Sequence, residues 1–161
     1  MKTKTKLIII ILLLVILGIL STGILFNQNQ DQNQNQDLDS NSIKVGDAEF
    51  ALPDGFTEGK SNSKGDVNIT KGNDTIFLTE LEAKNINESM QAYQDYCAKN
   101  EHELSMSTLT MGDTVVYKST DVNSNTNHYW FEKDGKGYSI YTWKPVEDID
   151  EITNSLITSM K

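Results

Sequence analysis

One stretch of the chain carries oxygen-bearing side chains at the spacing of a calcium-binding loop. The twelve residues from Asp121 to Glu132 read DVNSNTNHYWFE. A calcium loop between two helices draws its ligands from the first, third, fifth and seventh positions and ends in a glutamate at the twelfth. The candidate metal ligands are Asp121, Asn123, Asn125, Asn127 and Glu132.

Two features of this stretch disfavour calcium. Thr126 holds the sixth position, where the sharp turn of the loop normally needs glycine. The flanking residues alternate as strands do, whereas a calcium loop joins two helices. An asparagine-rich hairpin loop gives the same letters, so we predict a hairpin here and keep calcium as the alternative. We predict no other cofactor.

Aromatic side chains near the C-terminus form a second group with chemical potential. Trp130, Tyr141 and Trp143 could form a stacking platform for a sugar or a wall polymer if they are exposed. Aromatic residues that alternate along paired central strands more often belong to a hydrophobic core. The sequence leaves both interpretations open and favours the core.

Nucleophilic and metal chemistry receive little support from the sequence. Cys97 is the only cysteine and falls on the apolar stripe of a predicted helix, where cysteine behaves as a small buried hydrophobe. His102 and His128 lack zinc-site spacing, so we predict core packing for them too. No G-x-S-x-G elbow, G-x-G-x-x-G motif or P-loop occurs. We therefore predict a protein that is not an enzyme, although a carboxylate pair would need no local motif.

The charge balance excludes a class of partners. The formal net charge is −9, and it is −12 without the three lysines of the first six residues. All fourteen basic residues are lysine, so no guanidinium fork is available for bidentate recognition of phosphate. An acidic domain also repels nucleic acid. We predict no nucleic-acid partner.

An apolar stretch from Leu7 to Phe26 decides where these residues act. It has twenty residues with no charge and no proline, and a helix of that length spans ~30 Å, the thickness of a bilayer core. The lysines within residues 1–6 favour a cytoplasmic N-terminus. We predict a single-pass signal-anchor in the cell membrane with the C-terminal part outside. A cleaved signal peptide is the alternative, and it exports the domain as well.

A polar linker and one domain follow the predicted span. Residues 27–42 begin NQNQDQNQNQD, a low-complexity tract without a side chain for a core. Residues 43–161 are enough for one domain with its own core. Three glycosylation sequons occur there, as many as chance predicts, at Asn68, Asn73 and Asn87.

Periodicity predicts an α+β domain. A first helix should begin at the capping-box pattern Asn85–Glu88, and a last helix should follow Pro145. Their apolar stripes are Ile86, Met90, Tyr93 and Cys97 in the first, and Ile149, Ile152, Leu156 and Met160 in the last. Early hairpins turn at Gly46-Asp47 and Lys71–Asp74, and four later strands are predicted at Leu104–Met111, Thr114–Thr120, His128–Lys133 and Tyr138–Trp143.

The last two strands should carry aromatic residues on both faces. A symmetric turn at residues 134–137 would pair Phe131 with Ile140 and Trp130 with Tyr141. Both faces then need cover, which the two helices can supply. The predicted architecture is an antiparallel sheet of about six to seven strands with two packed helices.

Two short segments resemble a known fold family. The sequence FALPDGF at Phe50–Phe56 and the closing ITNSL at Ile152–Leu156, with the order of elements between them, are similar to the PsbP-like fold superfamily. That superfamily includes photosystem II extrinsic subunits, a Ran-binding import factor and exported bacterial lipoproteins. The resemblance implies an α+β fold and a binding or assembly role, and no functional residue is carried over. The chain also resembles small membrane-anchored proteins of low-GC prokaryotes, archaea included.

Two functional hypotheses follow from these observations. The first is a non-catalytic binding or accessory module for a protein partner at the cell surface, because a tethered exported domain lacks a catalytic motif. The second is a receptor domain for a cell-envelope glycan or small ligand, which would use exposed aromatic side chains.

Overall fold

The computed structural model describes residues 41–60, 66–82 and 85–161. They belong to the second of two units of the chain, Leu38–Lys161. The predicted span Leu7–Phe26 and nearly all of the polar linker lie outside the described residues. Within the described ranges, neither helix has the length and apolar character needed to cross a bilayer.

The domain is built on an antiparallel sheet of seven strands, in the order β3-β4-β5-β9-β8-β7-β6. Strands β1 and β2 pair with each other in a separate hairpin. The strands are β1 Ser42–Val45, β2 Ala48–Ala51, β3 Thr57–Glu58, β4 Asp66–Lys71, β5 Asp74–Glu82, β6 Leu104–Met111, β7 Thr114–Asp121, β8 Thr126–Lys133 and β9 Lys136–Tyr141. The helices are α1 Ile86–Lys99, between β5 and β6, and α2 Ile149–Ser159, after β9. The predicted α+β class, strand number and two helices are confirmed.

The main hydrophobic core lies on one face of the sheet, beneath α2 and the β1-β2 hairpin. Alternate residues of the central strands point into it, as the two-residue period of a strand requires. Phe50 of β2 meets Tyr138 of β9 edge-on, with ring centroids 5.9 Å apart. The wholly buried members from the sheet and α2 include Ile69, Ile76, Leu78, Tyr129, Phe131, Ile140, Leu156 and Ile157.

Helix α1 covers part of the opposite face. Ile86 and Cys97 are its buried residues, at the two ends of the predicted apolar stripe. Trp130 of β8 lies beneath the helix and donates a hydrogen bond from Nε1 to Ser89 Oγ at 3.0 Å. The helix begins where the capping box predicts, but the Asn85 side chain makes no capping hydrogen bond.

The register of the last hairpin differs from the predicted one. Phe131 pairs with Tyr138 and Trp130 with Ser139, two residues away from the predicted partners Ile140 and Tyr141. The cause is a two-residue turn at Asp134-Gly135, where both residues have positive φ (54° and 74°), as in a type I′ turn. The strand β9 therefore begins at Lys136 and ends two residues before the predicted Trp143. A shift by two residues preserves the face of each side chain, so aromatic residues still occupy both faces.

Candidate functional site

A cavity of about 460 Å³ lies between α1 and the sheet face that this helix covers. Small-molecule sites in proteins typically measure ~300–1,000 Å³. Its lining comes from α1, from strands β4, β5, β7, β8 and β9, and from the residues that follow α1 and β9. The side chains discussed below are Asp66, Tyr93, Tyr96, His102, Asp121, His128, Tyr141 and Trp143.

The sheet places three aromatic side chains in one row, and two of them, Tyr141 and His128, line the cavity. Phe77 of β5 pairs with Tyr141 of β9, which pairs in turn with His128 of β8. Directly paired residues share a face, so the three rings lie side by side. The Tyr141 ring is stacked on Phe77 at 5.1 Å and lies 5.0 Å from His128, between ring centroids. This row forms a continuous aromatic surface.

Further rings stand at steep angles to this row. Tyr93 of α1 meets His128 edge-on at 5.0 Å, with 66° between the ring planes. Trp143 meets Tyr141 at 5.5 Å and 82°. The aromatic lining is therefore a corner and not a flat platform.

The three candidate platform residues differ in exposure. Tyr141 and Trp143 both line the cavity, and the Trp143 side chain is 65% exposed. Trp130 is 0% exposed and stacks on His128 with ring centroids 3.7 Å apart. Helix α1 covers Trp130, so this residue is buried, as the favoured interpretation predicts, and it takes no part in an exposed platform.

A histidine–aspartate pair lies at the cavity lining. His102 Nδ1 lies 2.6 Å from Asp121 Oδ2. The other oxygen, Oδ1, accepts hydrogen bonds from the backbone N–H groups of Asn123 (2.9 Å) and Ser124 (3.3 Å). Burial raises the pKa of Asp121, but the hydrogen bonds from Ser124, His102 and the backbone outweigh it and hold the pKa below its usual value. Asp121 is therefore a fixed carboxylate.

A second carboxylate, Asp66, also lines the cavity. The Thr79 hydroxyl donates to its Oδ1, and the Tyr141 hydroxyl donates to its Oδ2 at 3.4 Å. Burial, followed by the negative charge of Asp66, raises the pKa of Tyr141 to about 12. Tyr141 is therefore an uncharged phenol at neutral pH.

His128 carries a polar atom that the domain leaves unsatisfied. Its Nε2 is buried and has no hydrogen-bond partner among the described residues. The same holds for Oγ of Ser119, which is paired with His128 across β7 and β8. Burial lowers the pKa of His128 to about 3, so the imidazole is neutral at physiological pH. Unsatisfied buried groups are costly, and a bound molecule could supply the missing partner.

The predicted calcium ligands do not converge. Asp121 pairs directly with Thr126, so the intervening residues 122–125 form a short hairpin turn. Asn125 lies in this turn with φ 53°. Glu132 lies six residues beyond Thr126 along β8, which is ~20 Å at the rise of a strand. A single ion cannot contact both Asp121 and Glu132.

The remaining candidate ligands have protein partners. Asn123 Oδ1 accepts a hydrogen bond from the backbone N–H of Glu103 at 2.8 Å, and Asn127 Oδ1 accepts one from Thr120 at 2.8 Å. In the described part of the chain, no three His, Cys, Asp or Glu side chains are grouped as a metal site would require. The five residues thus lie in the β7-β8 hairpin, as the sequence predicts.

The surroundings of the His102–Asp121 pair bear on nucleophilic catalysis. A His–Asp pair orients the base in many hydrolases, but a hydroxyl or thiol must then contact the second ring nitrogen. Among the described residues, no such group hydrogen-bonds Nε2 of His102. Cys97 is buried as predicted, and burial raises the pKa of its thiol, so it is a poor nucleophile.

The sequence predicts core packing for two residues that belong to the cavity lining. His102 and His128 instead line the cavity. A signal for His128 existed: with a two-residue turn at Asp134-Gly135, it falls opposite Tyr141 on the face of the predicted platform. No local pattern marks His102, which follows α1 and reaches Asp121 only in the folded domain.

Comparisons with known proteins add one structural similarity. No protein-family model and no curated protein matches the chain. The chain is similar to the solution structure of cyanobacterial PsbP (CyanoP) from Synechocystis sp. PCC 6803, with a TM-score of 0.43 and 12% sequence identity over 71% of this chain and 85% of that chain. The matched structure is a PsbP protein, and the similarity says nothing about what this chain binds.

Proposed function

We propose that this protein is a non-catalytic binding module whose ligand enters the cavity beside α1. Residues 7–26 would hold the module at the outer side of the cell membrane, and the polar residues from Asn27 to the start of β1 would tether it. The observation that carries the proposal is the convergence of aromatic rings and fixed polar groups on one cavity of about 460 Å³. Ligand sites commonly combine a mostly apolar lining with a few well-placed polar groups.

The polar groups support recognition rather than reaction. Asp121 is held by His102 and two backbone N–H groups, and Asp66 by two hydroxyls. Acceptors held in this way can orient a ligand. The unsatisfied Nε2 of neutral His128 adds a group that a ligand could hydrogen-bond.

Ligand titration of the full-length protein in lipid nanodiscs tests the proposal. The probes are choline chloride, N-acetylglucosamine and sodium acetate, which represent cationic, neutral and anionic ligands. Melting temperature and tryptophan fluorescence are the readouts, since Trp143 lines the cavity. A ligand present at one hundred times its Kd adds ~2.7 kcal/mol to the free energy of unfolding.

The expected result is a saturable rise in melting temperature with at least one probe, and a smaller rise in the Trp143→Leu variant. Tyr117→Leu is the matched control, because Tyr117 is an exposed aromatic residue on the same sheet face, outside the cavity lining. Absence of a saturable response to all three probes would overturn the proposal.

A second candidate, a site for a protein partner, is favoured by the edge strand β6. The strand ends the sheet, and its eight residues, LSMSTLTM, include no charge and no proline. Edge strands of that kind are templates for an added strand. Met106 of β6 and Val115 of β7 are 43% and 53% exposed on the adjoining face. The partner would contribute an extended, uncharged segment.

Cross-linking in membranes tests this second candidate. A Met106→Lys/Thr108→Lys variant places charges on the edge and should abolish a cross-link to one reproducible protein. Gln91→Lys, on the exposed side of α1, is the control and should leave the cross-link intact. A cross-link that both variants retain equally would place the partner elsewhere.

A further inference from the structure

We infer that the cavity beside α1 selects a quaternary ammonium group over neutral and anionic molecules. The inference rests on the proposed function, because it names the ligand class of the same cavity. It follows from three properties of the lining: the angles between its rings, the sign of its charges and the occupancy of its hydrogen-bond acceptors.

The ring geometry suits a compact, roughly spherical group. Tyr93 stands at 66° to His128, and Trp143 at 82° to Tyr141. Rings that meet at steep angles enclose a corner, in which a methylated ammonium group can contact more than one ring face. Aromatic cages of this type recognise quaternary ammonium ligands through the negative electrostatic potential of the ring faces.

The same geometry is less suited to a flat sugar ring. A pyranose stacks on an aromatic face that lies open and parallel to it. Tyr141 is already stacked on Phe77 on one side, with 12° between the planes, and Trp143 stands across it at 82°. Trp130, which would have widened the platform, is buried beneath α1 and stacks on His128.

The charges of the lining favour a cation. Asp66 and Asp121 are carboxylates, Tyr93 and Tyr141 are phenols, and no lysine is among the described residues that line the cavity. His102 is paired with Asp121, and His128 is neutral. An anion would meet two carboxylates at short range, whereas a cation would be attracted by them.

The hydrogen bonds of the carboxylates favour a quaternary over a primary ammonium. A primary ammonium must place three N–H donors on acceptors. The Asp121 oxygens already accept from His102 and from two backbone N–H groups, and the Asp66 oxygens accept from two hydroxyls. A quaternary ammonium has no N–H donors to satisfy and is held by ring faces and charge, while the rest of the ligand remains available to hydrogen-bond Nε2 of His128.

Isothermal titration of the full-length protein in nanodiscs tests the inference with a pair of matched probes. Choline and 3,3-dimethyl-1-butanol have the same shape, but a carbon replaces the charged nitrogen in the second. We expect choline to bind at least tenfold more tightly than its neutral isostere and than ethanolamine, which is a primary ammonium. Nanodiscs of zwitterionic lipid alone, without protein, correct for binding to the bilayer.

Variants localise the effect. Asp66→Asn should lower the affinity for choline at least threefold and leave the affinity for the isostere unchanged. Asp134→Asn removes a carboxylate in the type I′ turn outside the cavity and should change neither affinity. Trp143→Leu should also lower the affinity for choline. Because Trp143 is exposed, this substitution should leave folding intact and therefore tests binding even if Asp66→Asn disturbs the fold. Tyr117→Leu is its matched control.

Equal affinity for choline and its isostere would overturn the inference and leave the proposed function standing. Saturable binding of N-acetylglucosamine without binding of choline would do the same. Failure of every probe would overturn both.

Discussion

His102 and Asp121 come together at the open end of the β6-β7 hairpin, with Nδ1 of the histidine 2.6 Å from Oδ2 of the aspartate. The carboxylate is nearly inaccessible to solvent, while about a third of the imidazole side chain is exposed (5% and 35%). This asymmetry has a consequence for stability. Loss of the buried carboxylate leaves His102 and two backbone N–H groups without their acceptor, whereas loss of the partly exposed imidazole leaves Asp121 with its two backbone donors.

Asp121→Asn should lower the free energy of unfolding by ~1–3 kcal/mol. The substitution keeps the shape but removes the charged acceptor for His102 and for the backbone N–H groups of Asn123 and Ser124. His102→Gln should cost less, since the imidazole is partly in water. Urea titrations at pH 7 measure both changes. Stability of Asp121→Asn within ~0.5 kcal/mol of wild type would contradict this account of the pair.

His128 should make the domain less stable in mild acid. Its folded pKa of about 3 lies below the ordinary value of 6.5, so only the unfolded chain binds a proton between these values. The stabilising effect of neutral His128 is therefore fully present above pH 6.5 and is lost as the pH falls towards 3, at up to ~1.4 kcal/mol per pH unit.

His128→Phe isolates this effect, because it retains a ring beside Trp130 and removes the titrating group. The difference in unfolding free energy between wild type and variant should be constant from pH 7 to 8 and should shift in favour of the variant between pH 6.5 and 5. Comparison of the two proteins cancels the titration of carboxylates that they share. Parallel pH profiles would show that His128 is protonated in the folded protein.

Both helices could be predicted from the sequence because their apolar residues repeat at helical spacing. Ile149 and Leu156 of α2 are buried as the stripe requires, and so are Ile86 and Cys97 of α1. Strand β3 could not be predicted, since its two residues, Thr57–Glu58, are both exposed and carry no alternation. The register of β9 depended on the positive φ of Asp134-Gly135, a turn type that the Asp-Gly dipeptide itself favours.

The cavity could be predicted only in part. Alternation placed Trp130 and Tyr141 on one face, but whether each is exposed depends on where α1 crosses the sheet. The helix covers Trp130 and leaves Trp143 open to solvent. A cavity forms where packed elements leave space between them, and no sequence period records that space. The pairing of His102 with Asp121 is a tertiary contact for the same reason.

Gly46 should tolerate a side chain less well than Gly72. Both have positive φ (62° and 61°), so alanine in either turn should cost ~1 kcal/mol in backbone strain. At Gly46 the added Cβ would also meet the Glu80 carboxylate, which accepts hydrogen bonds from the backbone N–H of Asp47 and from Lys136, each at 2.9 Å. Nothing lies within 4 Å of the corresponding position at Gly72.

We therefore expect Gly46→Ala to lower the unfolding free energy by at least ~1 kcal/mol more than Gly72→Ala, from the displaced carboxylate. Glu80→Gln in the Gly46→Ala background should recover little of the lost unfolding free energy, because the amide still occupies the space of the carboxylate. Urea titrations of the three variants supply the comparison. Equal losses at the two glycines would mean that Glu80 moves aside freely.

Cys97 should be unreactive towards a thiol reagent in the folded protein. Its side chain is 1% exposed, and burial raises the pKa of the thiol, so little thiolate is present. Reaction should follow unfolding in urea. Ser107→Cys in a Cys97→Ala background, with the new thiol on exposed β6, is the control and should react at once. Rapid native labelling of Cys97 would place α1 away from the sheet.

Protease treatment of intact cells tests the predicted placement of the whole chain. If residues 7–26 span the membrane with the lysines of residues 1–6 inside, the linker at residues 27–42 faces outward. The linker contains no lysine, arginine or aromatic residue, so trypsin cannot cut within it and a nonspecific protease is the appropriate probe. Proteinase K should release the domain from intact cells at the same dose that cuts it in lysed cells, because an extended polar tract is readily bound by the enzyme. Replacement of the three N-terminal lysines by glutamate should reduce the released fraction, since the orientation then loses its charge bias.

Two outcomes would contradict this placement. Cleavage only after lysis would place the domain inside the cell. Domain found in the medium without protease would favour the cleaved signal peptide.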